Sequence, residues 1–184
     1  MKSMNLVRIA LVTALILMVP LVAMQFSSEV DWNVGDFIVM GALLFGTGLV
    51  YEFVAGRSSN GVYRFAVGLS AVTSLLLIWV NLAVGIIGSE DNSANLMYGA
   101  VLAVGFLGAI ASRLEPQGMA KVLFSMSFVQ LLIPFVALLV WQGDMAFEPG
   151  VVVTFGANAL FVVLFAGAGL LFRQAGTAQT AVTA

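Results

Sequence analysis

The chain contains no cysteine and no histidine among its 184 residues, and only 9% of its residues are charged. Without these two residue types it cannot form a disulfide, and it lacks the usual nitrogen and sulfur ligands of zinc, iron–sulfur clusters and haem. It also cannot supply the histidine of a Ser–His–Asp or Cys–His catalytic group. We therefore predict a non-enzymatic protein with no catalytic residue, no metal site and no cofactor.

Hydrophobic residues make up 61% of the chain and charged residues only 9%. In a soluble domain about a quarter of the residues are charged. This composition predicts an integral membrane protein. About 20 apolar residues cross a bilayer as a helix, and six runs are long enough. They extend over about Asn5 to Phe26, Asp36 to Ala55, Phe65 to Gly88, Asn95 to Ser112, Met119 to Gln142 and Gly150 to Phe172.

We predict an all-α protein with one six-helix transmembrane domain over residues 1–173. The remaining residues, 174–184, are small and polar, and they predict a disordered cytoplasmic tail. A basic start followed by an apolar run also describes a signal peptide, but Leu21 and Ala23 make a poor cleavage site. We expect the first run to be retained as a membrane helix.

The distribution of charge predicts the orientation, because the Lys/Arg bias of short loops determines membrane topology. With a cytoplasmic N-terminus, every basic residue lies at a cytoplasmic helix end: Lys2, Arg8, Arg57, Arg64, Arg113, Lys121 and Arg173. Most acids then lie outside: Glu29, Asp31, Asp36, Glu90, Asp91, Asp144 and Glu148. Aromatic residues agree, with Trp32, Trp79, Trp141 and Tyr98 near the outer interface and Tyr51 and Tyr63 near the inner one.

Two acids, Glu52 and Glu115, remain on the predicted cytoplasmic side. Glu52 lies near the inner end of helix two, where Arg57 or Arg64 is within reach. An interfacial ion pair is expected there, with a buried functional carboxylate as the alternative. The net charge of −2 gives no indication of nucleic-acid binding.

Spacing in the chain is consistent with a threefold repeat of helical hairpins. The pair Gly-Ala recurs at Gly41, Gly99 and Gly156, each time early in the second helix of a hairpin. Any six-helix chain with short loops shows similar spacing, so the repeat and a coincidence remain open. The middle hairpin, from Arg64 to Arg113, is the segment around which the chain is predicted to be organised.

Small and polar residues within the apolar runs indicate how the helices pack. Glycine allows close helix contacts in lipid, and six glycines are predicted packing positions: Gly41, Gly46, Gly48, Gly99, Gly105 and Gly156. Three amides at membrane depth either hydrogen-bond to neighbouring helices or line a solute path: Asn81, Gln130 and Asn158. Asn81 lies about 10 Å below its helix end and is expected to face the bundle interior.

The densest polar segment is the outer turn before helix four, with the oxygen-bearing residues Glu90, Asp91, Asn92 and Asn95. These side chains could hold a divalent cation, although their spacing does not match an EF-hand loop. A solvated turn in which Asn92 or Ser93 caps helix four is the favoured interpretation.

The segment from Trp79 to Asn92, followed by Asn95-Leu-Met-Tyr98, resembles small bacterial polytopic membrane proteins of uncharacterised activity. The resemblance implies a location in the bacterial cell membrane, and it implies no activity, cofactor or catalytic residue.

Two functions remain open. The first is a scaffold or accessory subunit of the inner membrane that binds a membrane-protein partner, or itself, through Gly/Ala-rich helix faces. The second is a passive channel or transporter for a small neutral or weakly polar solute. The lipid bilayer is the one partner that both functions require.

Overall fold

The structure is a computed structural model that describes residues 3–28, 30–140 and 149–183. Over these ranges all regular structure is helical: α1 Ser3–Phe26, α2 Val34–Ala55, α3 Gly61–Ala83, a short 3-10 helix Ser93–Met97, α4 Tyr98–Ala111, α5 Pro116–Val140 and α6 Pro149–Thr183. Five residues used above to predict orientation lie outside the described residues: Lys2, Glu29, Trp141, Asp144 and Glu148.

Six segments in the described ranges are long and apolar enough to cross a membrane, as the sequence predicts. Large apolar side chains cover their outer surfaces, and on α1 Leu15 and Val19 are among the most exposed. An apolar surface of this extent is unfavourable in water but suits a bilayer. The fold therefore indicates a multi-pass membrane protein.

Polar residues between the apolar runs set where helices begin. Asn33 caps α2, because its Oδ1 accepts hydrogen bonds from the backbone N–H groups of Gly35 and Asp36. Asp36 completes the capping box by accepting the Asn33 N–H at 2.8 Å. Asn60 caps α3 in the same way, through Val62 and Tyr63. These caps satisfy N–H groups that a helix start otherwise leaves without partners.

The chain divides into two compact units, Met1–Arg57 and Ser58–Ala184, where the sequence predicted one domain. In the first unit α1 packs against α2. The second unit contains α3 to α6.

Glu52 joins the two helices of the first unit. Its carboxylate forms an ion pair with Arg8 and accepts a hydrogen bond from Asn5 Nδ2 at 2.8 Å. The predicted partners were Arg57 and Arg64, so the expected ion pair is present with a different arginine. Since Arg8 lies on α1, the pair fastens α1 to α2 near one end of the hairpin.

In the second unit α5 and α6 make the most extensive contact, α6 also packs against α3, and α4 packs against α5. The helices therefore follow the order α3, α6, α5, α4. Although α3 and α4 are consecutive in the chain, they do not pack as a hairpin in the described part of the structure. Residues 84–97, which join them, are long enough to keep them apart. The α5–α6 pair, and not the middle hairpin, is the centre of this unit.

Buried positions on α5 and α6 alternate in steps of four and three residues. On α5 they include Met119, Leu123, Met126, Gln130, Ile133 and Ala137. On α6 they include Thr154, Asn158, Phe161, Phe165, Ala168, Phe172 and Ala175. This spacing is typical of a left-handed coiled-coil contact, in which helices cross at about 20°.

Helix α6 continues to Thr183, whereas residues 174–184 were predicted to be disordered. Ala175 is buried, and a Cβ added at Gly176 would lie 2.5 Å from Gln117 Nε2. Contact with the start of α5 therefore continues past Arg173. Tertiary packing stabilises a helix that the small polar composition alone did not predict.

Candidate functional site

Three polar side chains from α4, α5 and α6 meet inside the second unit and are almost completely buried. Gln130 Nε2 donates a hydrogen bond to Asn158 Oδ1 at 3.0 Å. Asn158 Nδ2 donates to Tyr98 Oη at 2.9 Å and to the Thr154 carbonyl at 2.8 Å. Tyr98 Oη is also 3.2 Å from Asn158 Oδ1, to which it can donate. We call Tyr98, Gln130 and Asn158 the amide cluster.

The orientation of both amides follows from the hydrogen bonds. The Thr154 carbonyl can only accept, so Asn158 must turn its Nδ2 towards it and its Oδ1 towards Gln130. Gln130 must then present Nε2 to Asn158. As a result Gln130 Oε1 is buried with no hydrogen-bond partner among the described residues.

The helices bring the cluster together through the α5–α6 contact. Gln130 and Asn158 both occupy its alternating buried positions, and Tyr98 is the first residue of α4. Pro134 lies one turn after Gln130 and has no N–H, so it cannot donate to the Gln130 carbonyl as another residue would. The Gln130 carbonyl therefore lacks the N–H donor that the helix would otherwise supply.

The segment between α3 and α4 is attached to the same region. Thr154 Oγ1 donates to the Ile86 carbonyl at 2.9 Å. Asn95 Oδ1 accepts from the N–H groups of Ile86 and Ile87, while its Nδ2 donates to the carbonyls of Ile87 and Ser89. Ile86 and Ile87 are buried as a consequence.

Gly85 makes this turn possible. Its φ of +71° is unfavourable for other residues, and a Cβ there would lie 2.4 Å from the Ser89 carbonyl oxygen.

The outer turn is thus a structured loop. Asn92 Oδ1 accepts the Ala94 N–H at 2.9 Å and caps the 3-10 helix that precedes α4. Asn92 or Ser93 was predicted to cap helix four itself, but α4 follows Met97 and has no side-chain cap. Glu90 and Asp91 are exposed, and the oxygen of Asn95 is already committed to two N–H groups. That commitment disfavours Asn95 as a cation ligand. No group of three or more candidate metal-binding residues occurs in the described ranges.

Asn81 does not join the other two amides. Its Nδ2 donates to the Leu77 carbonyl of its own helix at 2.7 Å, and its Oδ1 is buried with no partner within the described part of the chain. Asn81 was expected to face the bundle interior and bond to a neighbouring helix, but the one hydrogen bond of its side chain in the described structure is to its own helix. Gln130 and Asn158 were predicted to lie inside, and both do.

The six predicted packing glycines divide into two groups. A Cβ would meet a side chain of the neighbouring helix at Gly48 (Ile9, 2.6 Å), Gly105 (Met126, 2.8 Å) and Gly41 (Leu17, 3.4 Å). At the other three, no described atom lies within 4 Å of the Cβ position: Gly46, Gly99 and Gly156. The second group does not mediate packing among the described residues.

Sequence reasoning missed three contributors. Tyr98 was assigned to the membrane interface but is buried, and Thr154 was not considered. Gly108 was not among the predicted packing glycines, yet a Cβ there would lie 2.7 Å from both γ carbons of Val122. Polar residues three or four positions apart in an apolar run, such as Thr154 and Asn158, were the available signal.

The chemistry open to the amide cluster is limited. Two carboxamides and a phenol can donate and accept hydrogen bonds, but they provide no carboxylate, amine or thiol for acid–base or covalent catalysis. The cluster can join helices or contact a neutral polar molecule.

Fold and site together define a multi-pass helical membrane protein with a neutral polar interior. Neither family models, nor curated proteins, nor solved structures match the chain. Its function is therefore argued from the geometry alone.

Proposed function

We propose that the protein is a non-enzymatic membrane scaffold or accessory subunit, which binds a membrane-protein partner or a second copy through the outer face of α4. The observation that carries this proposal is a pair of small residues, Gly99 and Ala103, one turn apart and both exposed. No described atom lies within 4 Å of the Gly99 Cβ position. Small residues at this spacing let a second helix approach closely in lipid.

The opposite side of α4 supports the proposal, because it already uses the same mode of contact. Gly105 and Gly108 accommodate Met126 and Val122 of α5, which occupy the space that a Cβ would take. Glycine is costly in a helix interior, by about 1 kcal/mol relative to alanine. Contact with α5 explains the two interior glycines, Gly105 and Gly108. Gly99 is the second residue of α4, outside the helix interior, so it supports the proposal only through the open space at its Cβ position.

The interior of the second unit supports a scaffold, because hydrogen bonds between its helices favour a single arrangement. The amide cluster joins three helices, and Ser127 Oγ adds a bond from α5 to the Val162 carbonyl of α6 at 2.9 Å. Interhelical bonds of this kind average about 0.6 kcal/mol each. They stabilise one arrangement of the helices.

Leucine substitutions on the two sides of α4 test the proposal. Gly99→Leu should leave thermal stability in detergent unchanged, because its side chain enters open space, and should reduce oligomer size or partner copurification from membranes. Gly108→Leu is the matched control, and its clash with the β-branched Val122 should lower stability. If Gly99→Leu leaves assembly intact, or lowers stability as much as the control, the outer face of α4 is not an interface.

A second candidate, passage of a small neutral solute, is favoured by one observation: the unpaired acceptor Gln130 Oε1. A passing urea or glycerol molecule could donate to it. Gln130→Met removes that acceptor at similar volume, so flux of either solute into proteoliposomes should fall. Equal flux through both proteins would remove this candidate.

We further propose a bacterial inner-membrane location with both termini in the cytoplasm. Contacts of Tyr63 with Leu114 and Phe172 support a common side for the arginines next to them, Arg64, Arg113 and Arg173. Reporter fusions after Asn92 and after Ala184 should lie on opposite sides of the membrane.

The threefold hairpin repeat stays a prediction. The contacts of α1 with α2 and of α5 with α6 favour it, because each pair packs as a hairpin. The middle pair does not favour it, since α3 packs against α6 and α4 packs against α5.

A further inference from the structure

Tyr63 brings three parts of the second unit together at one end. Its side chain is buried near the start of α3, and its Oη donates to the Leu114 carbonyl in the α4–α5 turn at 2.8 Å. Its ring packs edge-on against Phe172 of α6, with 5.3 Å between ring centroids. Tyr63 therefore makes neighbours of three segments: the start of α3, the α4–α5 turn and the part of α6 around Phe172.

Each of these three residues has an arginine next to it in the chain: Arg64, Arg113 and Arg173. All three arginines are exposed, and none of their guanidinium groups forms an ion pair or hydrogen bond with a described residue. Glu115 is the one acid in the adjoining turn, and it too makes no ion pair within the described ranges. The Tyr63 contacts thus bring together the three chain segments that carry these arginines, where three basic residues stand against one acid, Glu115.

The backbone at Arg113 is held in an unusual conformation. Arg113 and Leu114 have φ values of +52° and +63°, which residues other than glycine rarely adopt. Two bonds hold them there: Leu114 N donates to the Ala109 carbonyl at 3.2 Å, and the Leu114 carbonyl accepts from Tyr63. The turn therefore holds the backbone of Arg113 in one conformation.

Apolar side chains lie directly beside the arginines, towards the middle of the helices. Phe65, Ile110 and Leu170 are 65%, 62% and 56% exposed, and each is within three residues of one of the arginines. A surface with unpaired cations at the helix ends and exposed hydrocarbon just inside suits an amphipathic ligand with an anionic head. A free anion would use only the first half of this surface.

We propose that Arg64, Arg113 and Arg173 form a binding site for the phosphate of an anionic phospholipid, whose acyl chains lie over Phe65, Ile110 and Leu170. Guanidinium groups bind phosphate oxygens through paired, charge-assisted hydrogen bonds. Anionic headgroups are preferred over zwitterionic ones because three arginines outnumber the one nearby acid, Glu115, that would attract a choline or amine. The site requires membrane insertion but is independent of the interface on α4.

Native mass spectrometry of the full chain with added phosphatidylglycerol tests this site. Arg113→Gln should weaken phosphatidylglycerol binding about fivefold, since a basic residue near an anionic headgroup contributes about 1 kcal/mol. Replacing all three arginines by glutamine should weaken it about a hundredfold. Lys121→Gln is the matched control, because it removes an exposed charge outside the Tyr63 contacts and should leave binding unchanged.

Two further measurements separate the alternatives. Phosphatidylcholine should bind more weakly than phosphatidylglycerol, and inorganic phosphate at equal concentration should not displace the lipid. Equal binding of both lipids, displacement by phosphate, or equal losses in Arg113→Gln and Lys121→Gln would each overturn the site. All substituted side chains are exposed, so unchanged thermal stability without lipid verifies that the variants are folded. None of these outcomes depends on whether Gly99→Leu alters assembly.

Discussion

Replacing Asn158 by leucine should destabilise the second unit far more than replacing Gln130 by methionine, although the two amides are bonded to each other. Asn158→Leu removes the bonds to Gln130 and Tyr98, together about 1.2 kcal/mol at the membrane average. It also leaves Gln130 Nε2 and the Tyr98 hydroxyl as buried groups without partners, at about 1 kcal/mol or more each. The expected loss is about 3 kcal/mol of unfolding free energy.

In Gln130→Met the loss of a hydrogen bond is offset by the removal of an unpaired buried acceptor. It removes one interhelical bond, about 0.6 kcal/mol, but it also removes the buried Oε1 that has no partner among the described residues. Asn158 Oδ1 keeps a donor in Tyr98. The unfolding free energy should therefore change by less than about 1 kcal/mol in either direction.

Reversible unfolding in mixed micelles by SDS titration measures both variants on one scale, and helical content before the transition controls for folding. Equal losses, or a larger loss for Gln130→Met, would refute the assignment of the amide orientations.

Three further substitutions follow from the same geometry. Gly108→Ala should lower the unfolding free energy by about 1 to 3 kcal/mol, since the β-branched Val122 cannot move aside, while Gly99→Ala on the same helix should not lower it. Thr154→Val should cost about 1 kcal/mol and speed hydrogen exchange at Ile86 and Ile87 without affecting α1 or α2. Asn95→Asp should cost about 2 kcal/mol or more, because a carboxylate oxygen would face the carbonyls of Ile87 and Ser89; unchanged melting would contradict this.

The sequence predicted the helices well and their inner faces poorly. Apolar runs of membrane length are sufficient to locate six spans, and the structure has them. Which side of each helix faces inward was not predictable in general, because both the lipid and the protein interior accept leucine, valine and phenylalanine. Polar residues are the exception. Gln130 and Asn158 were assigned to the interior correctly, because an amide at membrane depth needs a partner.

The same reasoning failed at Asn81 and Tyr98 for physical reasons. Asn81 was expected to need a neighbouring helix, but its donor bonds to the carbonyl one turn back on α3. Tyr98 stands next to a polar turn and was therefore assigned to the interface. The turn folds back through Asn95 and Thr154, so the ring at the start of α4 is buried. Contacts between residues 60 positions apart, such as Tyr98 and Asn158, leave no local pattern in the sequence.

The central claim, that the outer face of α4 binds another membrane protein or a second copy, is tested most directly with a single cysteine. The natural chain has none, so Ala103→Cys carries the only thiol, and a benzophenone attached to it reports what lies within reach in native membranes. The account predicts one discrete protein adduct, which is lost when Gly99→Leu is added and absent when the cysteine replaces the exposed Leu139 of α5. An adduct of lipid alone at Ala103, or the same protein adducts from both positions, would contradict it.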